Sequence, residues 1–134
     1  MRELDDKILL IDVLKFVKIE KQTTARILEY LSEIDFRKLW VKEGYSSMHD
    51  FCTRYLKYSE GEANRRIQAA RITQEVVALK PLLENNELSL TALSVIAPYV
   101  NEDNVMELIP KIKYQPVREI EKILYETFPE ARRK

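Results

Sequence analysis

Apolar residues near the start of the chain recur at helical rather than alternating spacing. Between Asp5 and Ile19 they are Ile8, Leu9, Leu10, Ile11, Val13, Leu14, Phe16, Val17 and Ile19, interrupted by Asp12, Lys15 and Lys18. Several are β-branched, which a strand would also accept, but the length of the segment favours a helix. Lys21-Gln22-Thr23-Thr24 reads as a break, with either threonine placed to cap the next helix. That second helix is predicted over about 25–42, buried through Ile27, Leu28, Leu31, Ile34 and Leu39, with Gly44 where a C-terminal cap belongs.

The pattern then shortens. Ser46 or Ser47 opens a helix over about 48–56, and Leu56-Lys57-Tyr58 makes a tight connection. Ser59-Glu60-Gly61-Glu62 has the form of a capping box, in which the hydroxyl binds a free helix N–H and Glu62 reaches back. The helix it starts is predicted to run to Leu79, where Pro81 ends or bends it. A short piece over 82–88 leads to a helix from Ser89 to near Pro98, another from Asn101 to near Pro110, and a last one from Pro116 to Phe128. The expectation is an all-α, compact bundle of about seven helices in a single domain over 1–134, with a helix-turn-helix-like unit at about 47–79.

Composition narrows the chemistry. Two glycines in 134 residues leave little material for tight hairpins, and 46% apolar with 33% charged residues suits a well-packed globule. One His (His49) and one Cys (Cys52) cannot build a structural zinc site or an internal disulfide, so no metal and no cofactor are expected. There is no Gly-rich phosphate loop, and carboxylate pairs such as Glu119/Glu126 have no partner His or Lys in a defined pocket. A non-enzymatic protein without a small-molecule substrate is therefore expected. The lone free thiol fits a reducing cytoplasm. Asp12 and Lys15 interrupt the longest apolar run, so no membrane span is expected, and the segment lacks a small-residue cleavage site, so no signal peptide is expected.

Net charge is zero, from 22 basic and 22 acidic residues, but it is segregated. Residues 36–72 carry an excess of four positive charges and residues 73–110 an excess of five negative ones. The last 24 residues are again basic and end in Arg132-Arg133-Lys134. One face therefore suits a polyanion and another does not.

The basic centre coincides with the helix-turn-helix-like order. Phe51, Tyr55, Leu56, Ala63 and Ile67 occupy the positions where the two helices must touch. Asn64, Arg65, Gln68 and Arg71 fall with Gly61 on one polar face of the second helix, with groove contacts expected from the four side chains. Arg binds guanine bidentately, and Asn or Gln binds adenine. Arg54, Lys57, Ser59 and Arg66 are the expected phosphate contacts, although Arg66 can also pair with Glu62 one turn earlier. Glu60 and Glu62 stand against this reading, because they occupy the first turn, where a recognition helix meets base edges. Any two consecutive amphipathic helices give a similar pattern, so a protein-interaction or dimerisation module remains the alternative. It would use the apolar face of Ile8–Ile19, which is broad for one core to bury. Cys52 is expected in the core, His49 on the surface, and Trp40 and Tyr45 as a wedge between helices. The tyrosines are too dispersed for a single-strand stacking platform.

Three stretches carry a resemblance. They are Gly44-Tyr45-Ser46-Ser47-Met48-His49-Asp50-Phe51-Cys52, Leu56-Lys57-Tyr58-Ser59-Glu60-Gly61-Glu62-Ala63, and Arg65-Arg66-Ile67-Gln68-Ala69-Ala70-Arg71. With Thr24–Trp40 upstream and Glu87-Leu88-Ser89-Leu90-Thr91 downstream, they resemble the N-terminal helical region of bacterial HNH endonuclease-like proteins over most of 24–128. In that family, catalysis belongs to a separate C-terminal metal-binding module rich in His. A single His cannot supply it, so the resemblance implies the accessory helical domain, DNA-binding, without the nuclease module.

Overall fold

The computed structural model describes residues 1–129, and Arg132, Arg133 and Lys134 of the basic tail lie outside the described residues. The first helix, α1, runs unbroken from Asp6 to Arg37. The break expected at Lys21–Thr24 is absent. Thr24 donates its hydroxyl to the Glu20 carbonyl at 2.9 Å, so the threonine is satisfied inside the helix instead of capping a new one. The neighbouring Glu, Lys, Gln, Ala and Arg residues are good helix formers and carry the turn through. At 1.5 Å per residue α1 is about 48 Å long.

Lys38 closes α1 in the left-handed region (φ 51°), and α2 is one turn, Leu39–Lys42. Gly44 (φ 86°) then gives its N–H to Val41 at 3.1 Å, and Tyr45 gives its own to Trp40 at 2.8 Å. This paired bonding satisfies the last carbonyls of α2 and requires the left-handed conformation that glycine adopts without strain. The expected glycine cap is present, but on a separate short helix.

Helix α3 spans Met48–Arg54 behind the Ser47 cap, and α4 spans Glu60–Glu75 behind Ser59. Helix α4 is shorter than expected. The chain leaves it at Val76, and a 3-10 turn over Val77–Leu79 leads into α5, Lys80–Glu84, with Pro81 in the first turn. Val76 and Leu79 are both buried by this detour. Helix α6 is Leu90–Ile96, α7 is Val105–Ile112 and α8 is Val117–Thr127. Asn101 does not open α7 directly. It accepts from the N–H groups of Asp103 and Asn104 in a turn that precedes the helix. Pro110 lies inside α7 rather than ending it; Pro110 and Met106, whose carbonyl the missing N–H would have bonded, both face solvent.

Eight α-helices and no strand among the described residues make the all-α bundle. Helix α4 is central and packs on α1, α3 and α6, while α8 joins α6 and α7. One cluster fills the interior, with Leu31, Leu79, Leu83, Leu93, Ile96, Ile112, Ile120 and Cys52 essentially sealed from solvent. Each buried aliphatic side chain contributes about 1.5–3 kcal/mol.

That core covers α1 only from Ala25 onward, through Ala25, Leu28 and Leu31. The N-terminal half stands clear of it: Leu14 is 72% exposed, Leu10 69% and Phe16 64%. Among the described residues no helix is long and apolar enough to cross a membrane.

Candidate nucleic-acid interface

The α3–turn–α4 unit is built by its caps. Ser47 accepts from the Asp50 N–H at 2.9 Å, and Asp50 reaches back to the Ser46 N–H at 2.9 Å. That backbone bond, with a smaller contribution from the Arg54 guanidinium, holds the Asp50 carboxyl below its ordinary range. At the second cap, Ser59 accepts from the Glu62 N–H at 3.2 Å and Glu62 accepts from the Ser59 N–H at 2.9 Å, which completes the capping box. The Ser59 N–H most, and the Ser59 hydroxyl after it, lower the Glu62 carboxyl.

Between the caps the chain turns sharply. Leu56 gives its N–H to Phe51, Lys57 adopts φ 66°, and Tyr58 gives its N–H to Cys52 at 3.2 Å. Phe51, Ala63 and Ile67 are buried where the two helices meet, and Ala63 has no exposed surface. Tyr55 and Leu56, also expected at this contact, stay on the outside. Tyr55 instead stacks on Phe51 at 5.1 Å, and Tyr45 meets Phe51 edge-on at 5.6 Å. Cys52 lies beneath this layer, and burial, reinforced by the nearby Asp35 charge, raises its thiol above the ordinary value.

The structure places the expected contacts unevenly. Lys57, Asn64 and Gln68 are exposed on the unit, and the Gln68 amide lies 3.5 Å from Asn64 Oδ1. Arg65 is half-buried and folds over the first turn of α4, so that a Cβ added to Gly61 would sit 3.3 Å from its guanidinium. Lys57 and Arg65 form no ion pair among the described residues. Ser59 is engaged in the cap. Arg54 lies over the Tyr45 ring at 5.3 Å and 3.4 Å from Asp50. Arg66 lies over the Tyr58 ring at 4.4 Å and donates to the Glu62 carbonyl oxygen at 3.2 Å, rather than pairing with the Glu62 carboxylate. Its guanidinium plane is held by aromatic packing.

Arg71 is different. Its guanidinium bonds Asp35 at 3.0 and 3.5 Å and so ties α4 to α1. The exposed polar face therefore runs from Lys57 through Asn64, Arg65 and Gln68, and its far end is neutralised. Sequence reasoning missed Asp35, together with the roles of Tyr45 and Tyr58 as platforms for Arg54 and Arg66. No periodicity could have joined Asp35 to Arg71. Among the described residues no three His, Cys, Asp or Glu side chains converge as metal ligands would. No family model, curated protein or solved structure matches the chain.

Proposed function

We propose that this chain is a non-catalytic helical module that contacts DNA through the α3–turn–α4 unit, with α4 toward the groove. The observation that carries the reading is the pair Lys57 and Arg65, the first exposed and the second half-buried across the first turn of α4. Neither forms an ion pair among the described residues, and they flank a capped helix start on a two-helix unit of suitable order. Asn64 and Gln68 beside them offer amide groups to adenine, and Arg54 and Arg66 are pre-oriented on tyrosines for phosphate. The resemblance of 44–71 to the helical region that accompanies HNH nuclease modules points the same way. The protein would then act in the cytoplasm, alongside its DNA.

Two features limit the face. The Arg71–Asp35 pair withdraws one cation, and the exposed Glu60 opposes phosphate at the helix start. Binding is therefore expected to be driven by backbone charge with modest base preference. Fluorescence anisotropy with a short random duplex tests it: affinity should fall steeply with salt and drop further in Arg65→Ala. An absence of binding at low salt would refute the proposal.

A further inference from the structure

Nine large apolar side chains between Ile8 and Ile19 are uncovered, each at least 36% exposed. They lie around the whole circumference of the helix, and Leu10, Val13, Leu14 and Val17 share one face of it, on which a second helix would lie. We propose that a second copy of this chain covers the Leu10–Val17 face, the two α1 helices packing antiparallel about a two-fold axis level with the Val13–Leu14 bond.

The shape of the molecule selects the direction. Leu10, Leu14, Val17 and Lys21 continue, at heptad spacing, the stripe that Leu28 and Leu31 present to the core. A parallel second helix lying on that stripe would run into α4 and α5, which already pack against α1 at the level of Leu28 and Leu31. An antiparallel one leaves in the opposite direction, beyond the N-terminus, where nothing obstructs it. Its own first turn then arrives near a cleft of about 600 Å³ between Leu14, Val17, Lys18 and Lys21 on α1 and Glu84–Asn86 at the end of α5.

The sequence fits this register. Residues equidistant from the axis lie level across the pair: Leu10 with Val17, Asp6 with Lys21 and Lys7 with Glu20. Asp6 and Lys21 flank the apolar seam directly, so each end of the interface closes on an opposite-charge pair.

Sedimentation of the full chain at tens of micromolar should give twice the 15.9 kDa chain mass. Leu14→Glu, at a site outside the core, should weaken the dimer by roughly 100-fold or more while leaving the circular dichroism and melting of the monomer intact. Lys21→Asp should weaken it too, and Asp6→Lys in the same chain should restore it.

Direction is read from a spin label at exposed Thr23→Cys, the native Cys52 being buried. Two such labels should lie about 30 Å apart in the antiparallel pair, against roughly 10–15 Å in a parallel one. A monomer under these conditions overturns the proposal, as does a short label distance. A monomer that instead binds vesicles of mixed zwitterionic and anionic lipid through the same face assigns it to a membrane surface and equally overturns it. DNA binding is read separately, by the anisotropy assay.

Discussion

Asp35→Asn gives the sharpest test of which cations would face DNA in the proposed complex. The pair it breaks is partly solvated, with Arg71 59% and Asp35 27% exposed, so its loss should destabilise the fold by about 1 kcal/mol. Electrostatically the change is larger, because it frees a guanidinium at the end of the α4 face. Each phosphate contact contributes about −0.9 to the slope of log affinity against log salt, so raising salt from about 50 to 200 mM weakens each contact roughly 3.5-fold. Lys57, Arg65 and Arg66, the cations of the unit that form no ion pair, together then predict a loss of about 40-fold in the parent, and a fourth contact from Arg71 raises it to about 150-fold in Asp35→Asn. Anisotropy titrations at the two salt concentrations measure both numbers, with a thermal melt to show that the variant is folded. An unchanged slope in Asp35→Asn would remove Arg71 from the interface and end the groove reading at Gln68.

Other outcomes rest on the caps, the turn and the core. Ser59→Ala removes a capping-box acceptor and should destabilise the protein by about 1 kcal/mol, read as a lower Tm. Glu62 and Asp50 both titrate below their ordinary range, so the stability they contribute is present above the unfolded-state values of about 4 and is lost as pH falls through their lower folded values. An acid titration followed by circular dichroism should therefore show a shallower acid limb in Glu62→Gln, which removes the titrating carboxyl. Lys57→Gly should stabilise the left-handed turn position by about 0.5–1 kcal/mol yet reduce the salt slope by about 0.9, which separates folding from binding. Cys52, buried with a raised thiol value, should react with thiol reagents only as fast as the protein opens; rapid labelling of the native state would contradict the placement of α3.

Local chemistry was legible in the sequence and long-range pairing was not. Ser47, Ser59 with Glu62, Ser89 and Gly44 each end or start a helix where their side chain or backbone freedom dictates. The break predicted at Thr23–Thr24 fails because a cap-forming hydroxyl can also be satisfied in mid-helix, as that of Thr24 is. Pro110 misled for a similar reason, since Pro110 and Met106 both lie on the exposed side of α7, where a missing hydrogen bond costs least. At the candidate interface the residue types were found from spacing. The fate of Arg71 depended on Asp35, on another helix and 36 positions away. The exposure of Ile8–Ile19 was anticipated only as excess breadth, because the amount of core available to cover it is a property of the whole fold.

The continuity of α1 has a mechanical consequence. The helix that carries the uncovered apolar half also carries Asp35 in its last turn, so a rigid rod links that half to the residue restraining Arg71. Tilting one end displaces the other, and the lever arm is fixed by hydrogen bonds rather than by a hinge. Thr23→Pro would insert such a hinge between the solvent-exposed half and the anchored half. It should leave Arg71 insensitive to whatever grips the N-terminal turns.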